Sequence, residues 1–293
     1  MKNVIEIKNL EKRFGSVQAV KDVSLVVSKG EIFGFLGENG AGKTTTIRCL
    51  MDFIRPTSGS INIFGKDSHL ESVFLKSKIG FLPGNVRLYD KWTGREHIEF
   101  VESLRGKSKF STVLTERLKL NQDIKFRNLS SGNKQKLGLI LALMNEPELL
   151  IMDEPTIGLD PLLQNEIYKI LLELKKQGTT IFLSSHNLSE VERICDRAGV
   201  IKEGKIIAIE TISNLAEIKM YEVMVKVKEK TAKANFKIAG VEEIQEAGDG
   251  LKLKVSGDIN PILKVISQHE ISDIGITRVN LEEVFLKFYG RKK

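Results

Sequence analysis

The chain has 293 residues, 41% hydrophobic and 28% charged, with 24 Gly and 6 Pro. These values exclude collagen-like, low-complexity and fully disordered chains, and they leave one large or two ordinary domains with core enough to need no staples. Lys and Arg (45) exceed Asp and Glu (38), a formal charge of +7. That excess reads either as a surface for nucleic acid or an anionic membrane or as a solvated basic surface, and without a run of five like charges or interleaved aromatics nothing sharpens the first reading.

Cys49 and Cys195 make neither a disulfide framework nor a zinc constellation, which fits a reducing compartment. The apolar runs 137–144 and 149–152 fall far below the about 18–20 residues that a membrane span needs. Residues 1–15 lack the apolar core of a signal peptide, so neither export nor anchoring by the chain itself is expected.

Up to about residue 210, short apolar runs alternate with helical patterns, the mark of an α/β domain. Residues 4–14 and 20–37 read as strands, and Ile47, Leu50, Met51 and Ile54 carry helical spacing. Residues 87–146 read as a mostly helical insertion holding Trp92. A buried strand ends in Asp153-Glu154, and Asp160 then caps a helix with Pro161 at its first position. Gly178 ends that helix, residues 179–185 form the next strand, and residues 199–209 read as a hairpin turning at Glu203-Gly204. After about residue 215 the order becomes strand, short helix over 231–239, two strands joined by Gly-Asp-Gly, helix, strand, and a closing helix 280–290 with Asn280 and Glu283 spaced as a capping box. That is a split β-α-β arrangement, read as a small second domain, 219–293, behind a first domain of 1–215.

Three segments carry chemistry. GENGAGKT (37–44) follows a strand and opens a helix, the P-loop pattern. Its glycines let backbone N–H groups surround phosphate oxygens, Lys43 adds a cation for the outer phosphates, and the Thr44 hydroxyl suits Mg²⁺. ELLIMDEP (148–155) puts two carboxylates at a strand end without a basic neighbour in sequence, which is costly unless they work. Beside a nucleotide, Asp153 holds the Mg²⁺ shell while Glu154 faces the attacking water. LSSGNKQ (129–135) reads either as an anion site at a helix N-terminus or as an ordinary Ser cap. His186 reads either as a satisfied turn residue or as a ligand group at the C-terminal edge of the sheet. Cys49, Cys195 and Trp92 read as packing residues, and His69, His97 and His269 have no metal-ligand spacing.

The order GENGAGKT, LSSGN, LLIMDEP, IGLD, SSH over residues 3–215 resembles the nucleotide-binding subunits of ATP-binding cassette (ABC) transporters. The resemblance implies that Phe14 stacks on adenine and that Gly37, Asn39, Gly40, Gly42, Lys43, Thr44 and Thr45 hold the phosphates. It implies that Ser130, Ser131 and Gly132 reach the γ-phosphate of an opposite subunit, that Asp160 links the two sites of a dimer, and that His186 contacts γ-phosphate. Two departures stand out: Gly84 occupies the place of the family's usual Gln, with Asn85 beside it, and the signature reads LSSGN where LSGGQ is common. Both departures, and the C-terminal extension, resemble the subgroup that serves antibiotic, lantibiotic and sodium exporters.

The implied protein is an ATPase using ATP and Mg²⁺, paired with itself or a relative, on the inner face of the cell membrane beside a separate permease, with no nucleic acid expected. One rival is a soluble cassette on ribosome or nucleic acid, which the single cassette without a coiled-coil insertion disfavours. The other is a regulator without useful turnover, which Glu154 and His186 disfavour.

Overall fold

The computed structural model describes residues 2–217, 220–227 and 233–278. It divides into two compact units, Met1–Glu210 and Thr211–Lys293.

In the first unit, β1 (Asn3–Phe14) and β2 (Val17–Ser28) form an antiparallel hairpin, and β3 (Ile32–Leu36) leads through the Gly-rich loop into α1 (Lys43–Leu50). A small hairpin, β4 (Ser58–Ile63) and β5 (Lys66–Asp67), is followed by α2 (Ser72–Lys78) and β6 (Ile79–Leu82). The helical insertion comes next: α3 (Gly94–Arg105), α4 (Lys109–Arg117) and α5 (Ser131–Leu143). The chain then returns to the sheet through β7 (Leu149–Asp153), α6 (Pro161–Lys176), β8 (Thr180–Ser185), α7 (Leu188–Ile194), β9 (Arg197–Lys202) and β10 (Lys205–Thr211).

Among the described residues the strands make three sheets. The central one has the order β10-β9-β3-β8-β7-β6, with β9, β3, β8, β7 and β6 parallel. β3, β7 and β8 are buried at every position, as expected of parallel strands covered on both faces. The sheet therefore delivers its loops to one edge: the C-terminal ends of β3, β7 and β8 carry the phosphate loop, Asp153-Glu154 and His186. A second, antiparallel sheet, β2-β1-β4-β5, shares one core with it: Ile5, Leu10, Val20 and Leu25 pack with Phe33, Ile47, Leu149 and Phe182. The α/β class expected from the alternation is the observed one.

Local signals explain most boundaries. Thr93 and Glu96 close a reciprocal capping box on α3, Ser108 caps α4, and Asp160 accepts the Leu163 N–H at 2.9 Å to start α6. The β9–β10 hairpin turns at Glu203 and Gly204, both at positive φ. The β4–β5 hairpin and α2 have no counterpart in the sequence reading, because only Ile61 and Ile63 of β4 and Leu75 of α2 are buried, too few to show a period.

In the second unit, α8 (Ile212–Glu217) precedes β11 (Met220–Val227), β12 (Val241–Ala247), β13 (Gly250–Ser256), α9 (Asn260–Ile266) and β14 (Ile271–Arg278). Their order is β12-β13-β11-β14 with all neighbours antiparallel, the split β-α-β arrangement. The short helix expected over 231–239 is a 3-10 turn, Lys233–Phe236, whose Phe236 plugs a core of Val223, Val225, Leu253, Val255, Ile262 and Ile266. The closing helix expected at Asn280 and Glu283 lies outside the described residues.

Candidate active site

The phosphate loop leaves β3 at Gly37 and enters α1 at Gly42. Gly42 is the N-cap of α1 at φ 111°, a left-handed conformation natural to Gly, and a Cβ there would lie 2.7 Å from Ala19 O. The loop is braced from β2 and the β9–β10 turn: Lys21 N–H donates to Gly204 O at 2.6 Å, and Gly204 N–H donates to Ala41 O at 2.9 Å. No side chain caps α1, so the N–H groups of its first turn face the loop as a donor set for an anion. Asn39 and Gly40 are exposed in that loop, and Thr45 is half-buried behind it. Lys43 is buried; its Nζ donates to Gly37 O (2.6 Å) and Glu38 O (3.1 Å) and stands 3.2 Å from Glu154 Oε1.

Thr44 and Asp153 meet across 109 residues of chain: the Thr44 Oγ1–H donates to Asp153 Oδ2 at 2.7 Å. The other Asp153 oxygen accepts the Ser184 Oγ–H at 2.5 Å. A hydroxyl and a carboxylate are hard oxygen donors, and with the phosphate oxygens of a nucleotide they fit Mg²⁺.

Glu154 is at φ 52°, left-handed for a residue with a Cβ. Such strain collects at functional sites and needs surrounding bonds to persist. Here the Glu154 N–H is shared between Ser184 O (3.2 Å) and Ser184 Oγ (3.1 Å), and Gln135 Nε2 from α5 donates to Pro155 O at 3.1 Å. The side chain is thereby turned to the His186 ring, with Nδ1 2.7 Å from Glu154 Oε2. A carboxylate only accepts, so Nδ1 is the donor, and Nε2 occupies the opposite ring edge. The carboxylates without a basic neighbour in sequence thus have Lys43 beside Glu154, brought by the fold.

Of the remaining candidates, Phe14 is half-exposed at the end of β1 with Lys12 Nζ 5.0 Å from its ring centroid. Ser130 is the N-cap of α5, its Oγ accepting the Asn133 N–H at 3.3 Å, and Ser131 is exposed. Gly132 lies against the 156–160 loop, where its Cβ would be 3.4 Å from Gly158 O. Asp160 caps α6 at the end of that loop. Among the described residues no side chain of Ser130, Ser131 or Asp160 bonds to Lys43, Thr44, Asp153, Glu154 or His186. Sequence reasoning missed Ser184 and Gln135, and marked Gly84 only as the place of the family's usual Gln. Gly84 backs onto the metal-type carboxylate: a Cβ there would be 3.3 Å from both Asp153 O and Oδ2. Burial pushes the Cys49 thiol up to about 11 and Cys195 well above its ordinary value, as inert packing residues would be.

Residues 20–157 match the family model described as ABC transporter. The chain is 41% identical over 220 residues to the bacitracin transport ATP-binding protein BcrA of Enterococcus faecalis, covering 73% of this chain and 71% of the relative. The chain belongs to the ABC transporter family. It is an ATP-binding subunit of a transporter and hydrolyses ATP. The cassette is also 33% identical to the linearmycin resistance ATP-binding protein LnrL of Bacillus subtilis, over 98% of this chain and 99% of the relative. A solved ATP binding subunit of an ABC transporter superposes with a TM-score of 0.67 at 30% identity, covering 72% of this chain and 91% of that one.

Proposed function

We propose that two copies of this chain, or one copy and a related cassette, close over two ATP molecules. Each ATP sits between the phosphate loop of one subunit and Ser130, Ser131 and Gly132 of the other, with Asp160 at the junction. Phe14 stacks on the base, and Gly37, Asn39, Gly40, Gly42 and Thr45 line the phosphates. The observation that carries the reading is the convergence of Lys43, Thr44, Asp153, Glu154 and His186 at one sheet edge. Mg²⁺, held through Thr44 and Asp153, supplies charge neutralisation of the phosphates. Lys43 does the same by its ammonium, Glu154 orients the attacking water and takes its proton, and His186 fixes Glu154 through Nδ1 and turns its other edge to the γ-phosphate.

Closure and reopening drive a separate membrane permease, and the direction is export. The names of the relatives support this reading: bacitracin transport, linearmycin resistance and Nod factor export. Among the described residues no helix is long and apolar enough to cross a membrane, so a span supplied by a partner suits the work. The cassette then sits on the inner face of the cell membrane. Residues 1–215 form the motor, with a helical subdomain at about 87–146, and residues 219–293 form an accessory domain for interaction or regulation.

Glu154→Gln tests the chemistry. It is expected to bind ATP as tightly as wild type, to lose about two orders of magnitude or more in kcat, and to accumulate as an ATP-bound dimer on size-exclusion chromatography. Lys43→Ala is expected to weaken binding of a fluorescent ATP analogue itself. Near wild-type turnover in Glu154→Gln removes that residue from the mechanism.

A further inference from the structure

Glu190 sits on α7 and is only 2% exposed. Among the described residues no Lys, Arg or His nitrogen pairs with it. Its carboxylate instead takes two hydroxyls from two different segments. Oε2 accepts the Ser185 Oγ–H at 2.6 Å, and Oε1 accepts the Thr156 Oγ1–H at 3.0 Å. Ser185 precedes His186, and the Asn187 N–H donates back to Ser185 Oγ at 2.9 Å, so one hydroxyl grips both sides of the His186 turn. Thr156 lies two residues beyond Glu154, and Gln164 Nε2 approaches its carbonyl at 3.5 Å. Glu190 therefore joins, on the buried side, the same two segments that Glu154 and His186 join on the exposed side.

A buried carboxylate without a cation is costly, and a neutral pair of hydroxyls asks for no charge. Burial pushes the Glu190 carboxyl above the ordinary carboxylate range, against the pull of the Ser185 and Thr156 hydroxyls and with a further push from Glu154. Such groups collect where geometry serves function. The Glu side chain suits the task because its two oxygens each reach one segment.

We infer that Glu190 is a positioning residue for ATP hydrolysis, pinning the loop after Glu154 to the turn of His186 so that the two side chains keep one separation. The inference rests on the reading of Glu154 as the group that faces the water. It makes Glu190 a determinant of turnover rather than of nucleotide binding, since none of its bonds involves the phosphate loop.

The full chain is tested by steady-state ATPase, with nucleotide-binding stoichiometry as the measure of folded protein. Glu190→Ala is expected to lower kcat about tenfold or more while KM for ATP stays within about twofold. Glu190→Gln, which keeps the volume and one acceptor, is expected to recover kcat to within about threefold of wild type. On a Glu154→Gln background, Glu190→Ala adds no further loss, because the group it positions is already gone. Wild-type kcat in Glu190→Ala overturns the inference, as do fully additive losses in the double variant. If Glu190→Ala binds less than its share of nucleotide, Thr156→Val decides: it removes one hydroxyl at constant shape, and an unchanged kcat there overturns the inference while a fall at full stoichiometry upholds it. Full activity in Glu154→Gln overturns the underlying reading; full activity in Glu190→Ala beside an inactive Glu154→Gln overturns the inference alone.

Discussion

Gly84 and Asn85 occupy the place where the family resemblance leads one to expect Gln. The Cα of Gly84 backs onto Asp153 so closely that a Cβ would meet Oδ2 at 3.3 Å. The missing side chain thus lets the backbone itself approach the metal-type carboxylate. Asn85 is exposed next to it and carries both a donor and an acceptor. Asn85→Ala is expected to lower ATPase activity and its coupling to the proposed permease, with ATP affinity within about twofold. Turnover at the wild-type rate in that variant would assign the task to water and leave the loop a docking role.

At the scale of elements, α4 of the insertion is fastened to α6 of the sheet unit by one arginine. Arg117 donates Nε to Glu166 at 2.7 Å and its two terminal nitrogens to Glu173 at 2.5 and 3.1 Å. The guanidinium holds the Glu173 carboxyl below its ordinary 4.5. A carboxyl with a lowered folded pKa stabilises the fold above its unfolded value, and that stabilisation disappears as pH falls through the folded one. Because Glu173 is half-exposed, solvent screening reduces the network to about 1 kcal/mol. Arg117→Ala should therefore lower Tm by a few degrees near neutral pH, and the difference from wild type should shrink below pH 4.5. A gap that stays constant down to acid pH would show that Arg117 acts through packing of its stem. The start of α6 was legible in sequence, since Asp160-Pro161 is a local capping signal. The Arg117 joint was not, because its partners lie 49 and 56 residues away.

For the whole molecule, each unit has, among its described residues, a core of its own. Phe33, Ile47 and Phe182 belong to one, and Phe236, Leu253 and Ile266 to the other. Phe236 is fully buried at the 3-10 turn, so Phe236→Ala is expected to cost the second unit about 3–5 kcal/mol. Calorimetry should then show an early transition for that unit while ATP binding persists to the later one. Deleting residues 219–293 should likewise leave ATP binding intact while altering dimerisation or transport. Loss of binding in a well-folded truncation would mean that the second unit completes the nucleotide site.

The sequence by itself determined whatever depends on near neighbours along the chain. The phosphate loop is a run of eight residues between a strand and a helix, and β3, β7 and β8 announce themselves by the short apolar stretches 32–36, 149–152 and 181–183, because parallel strands are covered on both faces. The split β-α-β order of the second unit was readable from alternation and one Gly-Asp-Gly turn. Tertiary structure alone decided which groups face one another. Thr44 meets Asp153, Lys43 meets Glu154, and Ser184, Gln135 and Glu190 brace the loop between them, because parallel strands far apart in sequence end at one edge. Spacing along the chain carries no trace of those distances, and a Ser, a Gln or a Glu read alone is more often a cap or a solvated side chain than a brace.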